Sequence, residues 1–453
     1  MMGAMAISSC KKDYLTQTPP TLLLPAVALS DEAGLSTALN GAYVGLRNTE
    51  HYGRTIPVLG DLMADNAYVS PKNSGRYTNF NNYLFTVADG NVLGFWTAAY
   101  NTILRCNNII NSPLAANANV NQIKGEALSI RALCYFDLVR YFAKPYTDDP
   151  ASLGVPIVTK FDISVLPARN KVSEVYTFIN ADLTSAFSLM TIFKNSTQFS
   201  KYAARGLQAR VYLAMGDKPN AKTAALDVIT NGGFTALSTT NHATYWLGAL
   251  PRTDKLETLF EVSSDATANN GFDGLANIYS QAGYGDMICS DELYALFSSG
   301  DVRKSLYQTG TRTNPAVFIN KFPNINGTDV SDTKVLRLSS MYLIAAEASL
   351  PANEADALLY VNFITSRRGA DPIASTGAAL FEDIIKERRK ELAFEGDRYL
   401  DLNRLKRDVV RSVNYPASAR TIAYTDFRRI LPIPQRELDA NENIRGQQNP
   451  GWK

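Results

Sequence analysis

The chain has 453 residues, of which 45% are hydrophobic and 19% charged, which fits a globular protein with a large core and argues against disorder. Forty-five basic against 43 acidic residues leave a formal charge of +2, so there is no electrostatic case for nucleic acid as a partner. Two histidines, His51 and His242, exclude a histidine-rich metal centre and speak against a His-dependent triad, whereas 23 Tyr, 20 Phe and 3 Trp are an unusual aromatic supply. No apolar run approaches the ~18–20 residues that span a bilayer, and Leu22–Leu29 is short and carries Pro25.

At the N-terminus, an apolar stretch ends in Ser8-Ser9-Cys10 and switches abruptly to Lys11-Lys12-Asp13. Small residues before a cysteine resemble the end of a bacterial lipoprotein signal, with Cys10 as the lipidated first residue. The stretch has no basic n-region and is shorter than a full signal, so residues 1–10 are expected to be its remnant. The alternative is a stray cysteine in a frayed terminus. An acylated Cys10 would anchor the protein to membrane lipid rather than span it, and stable anchoring takes more than one chain at ~0.8 kcal/mol per buried methylene. Cys106, Cys134 and Cys289 form no CxxC pair, which removes zinc and thioredoxin-like readings. Cys106 and Cys134 sit in apolar helical patterns and are expected as buried free thiols.

The pattern that follows is mostly helical. Ser30 can cap a helix whose first turn holds Asp31 and Glu32, with Leu35, Leu39, Ala42, Tyr43 and Leu46 on one face. Further helices are expected at about 95–111, 122–142 and 175–190. In 200–231, small residues (Ala204, Ala209, Ala214, Ala221, Ala225) alternate with large ones around Gly216-Asp217-Lys218-Pro219-Asn220. Small residues let two helices approach closely and the Gly/Pro turn reverses the chain, so this stretch resembles a tetratricopeptide (TPR) helix hairpin. Val335–Arg368, turning at Leu350–Asn353, is a second such unit. Polar, Gly- and Asn-rich segments, chiefly 61–94 and 238–310, interrupt the helices, and loops on a rigid scaffold are where binding usually sits.

The C-terminal part carries the most specific motifs. Glu387–Leu402 reads ERRKELAFEGDRYLDL, Leu431–Leu438 reads LPIPQREL and Gln448–Trp452 reads QNPGW. Together with Phe95-Trp96, Tyr100, Asn107, Gly125–Phe142, Arg169, Val172, Val175, Tyr176, Ser290–Leu293 and Asp301–Arg303, these resemble the SusD/RagB family of outer-membrane nutrient-binding lipoproteins of Bacteroidetes over essentially all of the chain after Cys10. The resemblance implies a mainly α fold: four TPR-like helix hairpins as scaffold and a loop-rich ligand-binding half with little β structure. It implies one SusD-like domain over about 11–453, with scaffold helices within about 30–50, 95–143, 172–231 and 335–411 and binding loops at about 61–94 and 238–310. It also implies a SusC-like TonB-dependent outer-membrane transporter as partner, to which the protein hands captured oligo- or polysaccharide without breaking a bond. No cofactor or metal is expected.

Glu387–Leu402 is expected as one charged helix, on which Glu387, Glu391 and Glu395 lie at successive i+4 spacings, share a face and tempt a catalytic reading. The density of Arg388, Arg389, Lys390 and Arg398 around them favours a structural ion-pair network. A saccharide presents flat C–H faces and many hydroxyls, so its site needs aromatic rings mixed with amides, carboxylates and arginine, because each unpaired polar group costs ~1–3 kcal/mol. The stretches with that composition give Asp65, Asn66, Tyr68, Arg76, Tyr77, Phe80 and Tyr83 in one loop and Phe272, Tyr279 and Tyr284 in another, with Tyr245-Trp246 as a further candidate. Phe80 and Tyr83 could equally anchor their loop in the core, and Trp96 and Tyr100 read as core. Three alternatives stay open: the same capture role with peptide cargo, an α-helical glycoside hydrolase, and an intracellular TPR scaffold for peptide tails. A hydrolase needs two opposed carboxylates at a set separation, and no GxSxG, HExxH or Walker loop is present.

Overall fold

The computed structural model describes residues 28–162, 164–247, 252–310, 316–325 and 330–452. Cys10, the expected lipidation site, lies outside the described residues. Helix α1 (Glu32–Leu46) is capped not by Ser30 but by Asp31, whose carboxylate accepts from Gly34 N at 2.8 Å. Its stripe of Leu35, Leu39, Ala42 and Leu46 is buried. A short α2 (Thr55–Leu62) follows, then α3 (Gly90–Ile110), α4 (Ala118–Phe142) and α5 (Val172–Leu189). Side-chain caps start α3 and α4 earlier than the apolar pattern indicates: Asp89 accepts from Asn91 N and Asn117 from Val120 N. Helix α4 is buried around most of its circumference, and its Arg131 forms a 2.7 Å ion pair with Asp182 of α5.

The Gly/Pro turn between α6 (Lys201–Met215) and α7 (Lys218–Asn231) is built as its residues dictate. Gly216 closes α6 in the left-handed region at φ 76°, Asp217 caps α7, and Pro219 sits in the first turn of α7. Ala204, Ala209, Ala221 and Ala225 are fully buried, so the two helices approach through alanine faces. The second expected hairpin is α8 (Leu338–Ser349) and α9 (Glu354–Arg368). It begins later than Val335, because Thr333–Arg337 is a strand paired antiparallel with Thr258–Val262. In sequence order α1 packs on α3, α3 on α4, α4 on α5, α5 on α6, α6 on α7, α7 on α8 and α8 on α9. The row therefore resolves into the helix pairs α1/α3, α4/α5, α6/α7 and α8/α9.

The charged C-terminal motif is not one helix. Helix α10 (Gly377–Glu391) stops, the chain turns with Phe394 at φ 65° and Gly396 at φ 88°, and α11 (Arg398–Arg404) restarts. The turn packs closely on α2: a Cβ added at Gly60 would stand 2.1 Å from Gly396 O, and one added at Gly396 would stand 3.1 Å from Ile56 O. The LPIP and QNPG motifs fasten the C-terminus to the scaffold: Leu431 N donates to Tyr141 O, and Asn449 Nδ2 donates to Phe142 O and Leu431 O.

Strands are short. β1 (Ala67–Val69), β3 (Met287–Cys289), β4 (Tyr307–Gly310) and β5 (Ala316–Ile319) form an antiparallel sheet in the order β1-β3-β5-β4, and β2 (Thr258–Val262) pairs with β6 (Thr333–Arg337). The β1–β3 pairing matters most for function, because it sets the polar segment after Val69 beside the one before Met287. Cys106, Cys134 and Cys289 are free and buried.

Candidate functional site

The tempting acids are locked into the interior. Glu391 is paired with Arg337 (2.8 Å), Arg368 (2.9 Å) and Arg303 (3.0 Å). Glu387 meets Arg303 and Lys390, and Glu395, which lies beyond the end of α10, meets Arg337 and Lys321. Burial alone would raise the Glu391 carboxyl, but Arg368, Arg337 and Arg303 outweigh it and hold it well below the usual carboxylate range. The network ties α8, α9 and α10 to β6. It leaves no pair of carboxylates facing a cleft at this place.

Most of the expected ligand-contacting residues are also structural. Asp65 takes a two-pronged bond from Arg398 (2.8 and 2.9 Å), and Asn66 accepts from Arg389 Nε at 2.8 Å and donates to Asp61 at 2.7 Å. Both fix β1 to the α10–α11 corner. Tyr68 is buried against Tyr415. Tyr77 turns inward at φ 58°, and its hydroxyl meets Arg54 Nε and Thr55 Oγ1, each at 2.7 Å. Phe80 stacks on Phe85 at 4.9 Å, and the Tyr83 hydroxyl donates to Met63 O. Tyr245 is buried with its hydroxyl on Thr258, Trp246 packs beside His242 and under Lys321, and Tyr279 stacks on Phe322. Backbone reversal turns Tyr77 and Tyr83 in, buried hydroxyl partners hold Tyr77, Tyr83 and Tyr245, and ring packing holds Tyr68, Phe80 and Tyr279. Trp96 is core as expected, and half-buried Tyr100 donates to Pro156 O.

Arg76, Phe272 and Tyr284 reach the surface, and the structure brings Arg76 and Tyr284 into contact. Ser70 N donates to Asp286 O at 2.7 Å and Ser74 N to Asp286 Oδ1 at 2.8 Å, which holds the segment 70–77 against the segment 269–286. The Arg76 guanidinium then lies 4.4 Å from the Tyr284 ring centroid, and its Nη2 donates to Asp273 at 2.7 Å. Asp273 is braced from the interior by buried Arg54, at 3.2 Å. Phe272, next to it, is 63% exposed. Arg54, Asp273 and Asp286 were not singled out by the sequence: each acts on a partner about 200 residues away, which no local pattern reports. The result is a ring-backed guanidinium in contact with a carboxylate, with an exposed ring on the residue next to that carboxylate. Rings and a planar cation suit the C–H face of a sugar, and Asp273 with Arg76 suits its hydroxyls. Among the described residues no group of three or more side chains could hold a metal ion, and no helix is long and apolar enough to cross a membrane.

A row of helix pairs carrying an irregular, aromatic and polar face defines a helical-repeat binding protein. The comparisons with known proteins specify which. A model for the SusD family matches residues 304–452, and one described as starch-binding, associating with outer membrane, matches residues 13–213. A SusD-like protein, P2, of Formosa agariphila is 28% identical, covering 97% of this chain and 96% of the relative. A crystal structure of a SusD superfamily protein from Bacteroides thetaiotaomicron is 31% identical with a TM-score of 0.84, covering 92% of this chain and 99% of that one. Another, from Bacteroides vulgatus, is 27% identical with a TM-score of 0.85, covering 93% and 99%. The chain belongs to the SusD family, and its mainly α fold is the family's fold.

Proposed function

We propose that the protein captures oligo- or polysaccharide at the outer surface of the outer membrane, held there by acylated Cys10, and delivers it to a SusC-like TonB-dependent transporter without altering it. The observation that carries this reading is the Arg76–Tyr284 stack beside exposed Phe272, on two segments registered by the β1–β3 pairing. The family match, with its starch-binding and outer-membrane description, supports the cargo class and the location. A non-catalytic role is supported by the ion pairing of Glu387, Glu391 and Glu395, which leaves their carboxylates committed to arginine and lysine. Glycan is favoured over peptide because the face is open and its Arg76 and Asp273 charges neutralise one another.

The test is an affinity screen against glycan and peptide panels, repeated with Arg76→Gln, Phe272→Ala and Tyr284→Ala, together with product analysis after long incubation. Each ring removal should weaken the best glycan about tenfold, the effect of losing one well-placed contact. Unchanged binding in all three variants would disprove the site, and a shortened glycan would disprove the non-catalytic role. Co-purification of the barrel with the acylated protein, and its loss in Cys10→Ala, checks the assembly.

A further inference from the structure

Beside Asn269 and Asn270, a cavity of about 330 Å³ opens where α1 meets α3. Its polar lining includes Arg47, Asn48, Asn101, Arg105, Asn269 and Asn270, with Thr102, and it contains no Asp or Glu. Half-buried Arg47 follows the last turn of α1, and its Nη1 reaches only Ser263 O, at 3.4 Å. Exposed Arg105, five residues before the end of α3, lies across the glycines of α1. Its Nη1 donates to Gly41 O at 2.7 Å, and a Cβ on Gly45 would come within 3.3 Å of it. Each guanidinium thus has one protein acceptor, a backbone carbonyl, and among the described residues neither lies within ion-pair distance of a carboxylate. Asp265, whose charge Arg47 feels, already accepts from Thr267 N, Thr267 Oγ1 and Ala268 N.

This differs from buried Arg303 and Arg337, each surrounded by acids, and from buried Arg411, whose guanidinium donates to the carbonyls of Leu62, Ala64, Asn81 and Ala419. A position after a helix C-terminus suits Arg47 on its own account. Arg105 lies outside the last turn of α3, and its tie to Gly41 O uses one of its five donors. Asn269 and Asn270 already donate to Asp265 O and Arg47 O, but two guanidinium forks with the amides of Asn48 and Asn101 still offer donors in excess, the requirement for an oxyanion carried on a polyhydroxylated ring.

We infer that this cavity is a subsite for an anionic substituent, a uronate carboxylate or a sulfate ester, on the bound saccharide. The inference rests on the glycan-binding reading above and narrows its ligand class from saccharide to acidic saccharide. Asn270 couples the two places: its Nδ2 donates to Arg47 O at 2.9 Å, and three residues on, Asp273 receives Arg54 and Arg76. One oligomer can therefore lie on the aromatic face and place a charged ring behind the segment.

The experiment is calorimetric titration of the full chain with a panel in which each neutral oligosaccharide is matched by its uronate and its sulfated counterpart. One anionic series should bind about tenfold or more tightly than its neutral match, and the advantage should fade as salt is raised. Which series gains identifies the oxyanion. Arg47→Gln combined with Arg105→Gln should erase the advantage and leave neutral binding intact, whereas Tyr284→Ala should weaken both. Asn101→Asp, which places a carboxylate in the lining and keeps both arginines, should also erase it. A neutral ligand binding as well as its anionic matches overturns the subsite and spares the glycan-binding reading. Retained preference in the double variant does the same. If no member of the panel binds, both are overturned.

Discussion

The sharpest consequence of the buried charge network is the fate of Glu391→Gln. The substitution keeps size and shape but removes the one negative charge shared by Arg303, Arg337 and Arg368. Breaking a buried pair costs about 3–5 kcal/mol, because the partner charge is left uncompensated. Unfolding entropy of about 2.1 cal/mol/K per residue makes each kcal/mol worth roughly 1 °C at this chain length, so the melting temperature should fall by about 3–5 °C. Glu382→Gln is the matched control. It lies on the same helix and is paired with Arg407 at 2.6 Å, but its side chain is 57% exposed, and exposed pairs are worth about 0–1 kcal/mol. The sign with pH follows from the depressed carboxyl. Above the ordinary value of 4.5 both folded and unfolded states are ionised and the full contribution is present. As pH falls from there toward the lower folded value, the unfolded chain takes up the proton first and the contribution is lost. The gap between wild type and Glu391→Gln should therefore be constant at neutral pH and narrow only in acid. Calorimetry or urea unfolding across pH measures it. A penalty no larger than that of Glu382→Gln would refute the network's structural role. So would a wild-type glycan-cleaving activity that Glu391→Gln abolishes.

Other outcomes follow from the same packing. Burial pushes the Asp61 carboxyl up to about 7 against the lowering effect of Asn66 and of the Phe394 and Gly396 amides. The folded state then holds a proton that the unfolded state has released, so stability should decline as pH rises from about 4 to about 7, and Asp61→Asn should flatten that slope in pH-dependent urea unfolding. Gly60→Ala should cost about 1–3 kcal/mol or more, because the new methyl meets Gly396 O and overpacked sites relax poorly; the melting temperature reports it. Tyr83→Phe should cost about 1–2 kcal/mol by stranding Met63 O while leaving glycan affinity unchanged, which a titration separates from the effect of Tyr284→Ala.

The scaffold was legible because helix burial repeats along the chain. Leu35, Leu39, Ala42 and Leu46 fall on one face whatever the rest of the fold does, and Gly216-Asp217 with Pro219 states a turn in three residues. The binding face was legible in composition and not in direction. A loop rich in Tyr, Phe and Asn can present its rings or bury them, and the choice rests on backbone dihedrals and distant partners. Tyr77 and Tyr83 adopt φ 58° and 54°, conformations that no residue type demands. Asp65 and Asn66 are claimed by Arg398 and Arg389, more than 300 residues further along. The continuous charged helix expected over Glu387–Leu402 breaks for a like reason: Gly60, on another element, needs the close approach that Gly396 allows.

Charge is used in opposite ways in the two halves. Around Glu391, acids, arginines and a lysine are matched one against another, so residues that look reactive in the sequence are the ones least able to react. Lys321, Arg337, Glu391 and Glu395 exemplify this, each buried and each paired. On the surface beside residues 269–273 the matching stops, and Arg47 and Arg105 face solvent with only carbonyls for company. An uncompensated pair of cations costs little where water solvates it, and so it can be kept for a ligand. The matched network around Glu391, by contrast, gives a captured polymer nothing to compete for. A family that keeps its scaffold and changes its cargo can do so by altering the unmatched residues of the surface while the matched ones hold the helices in place.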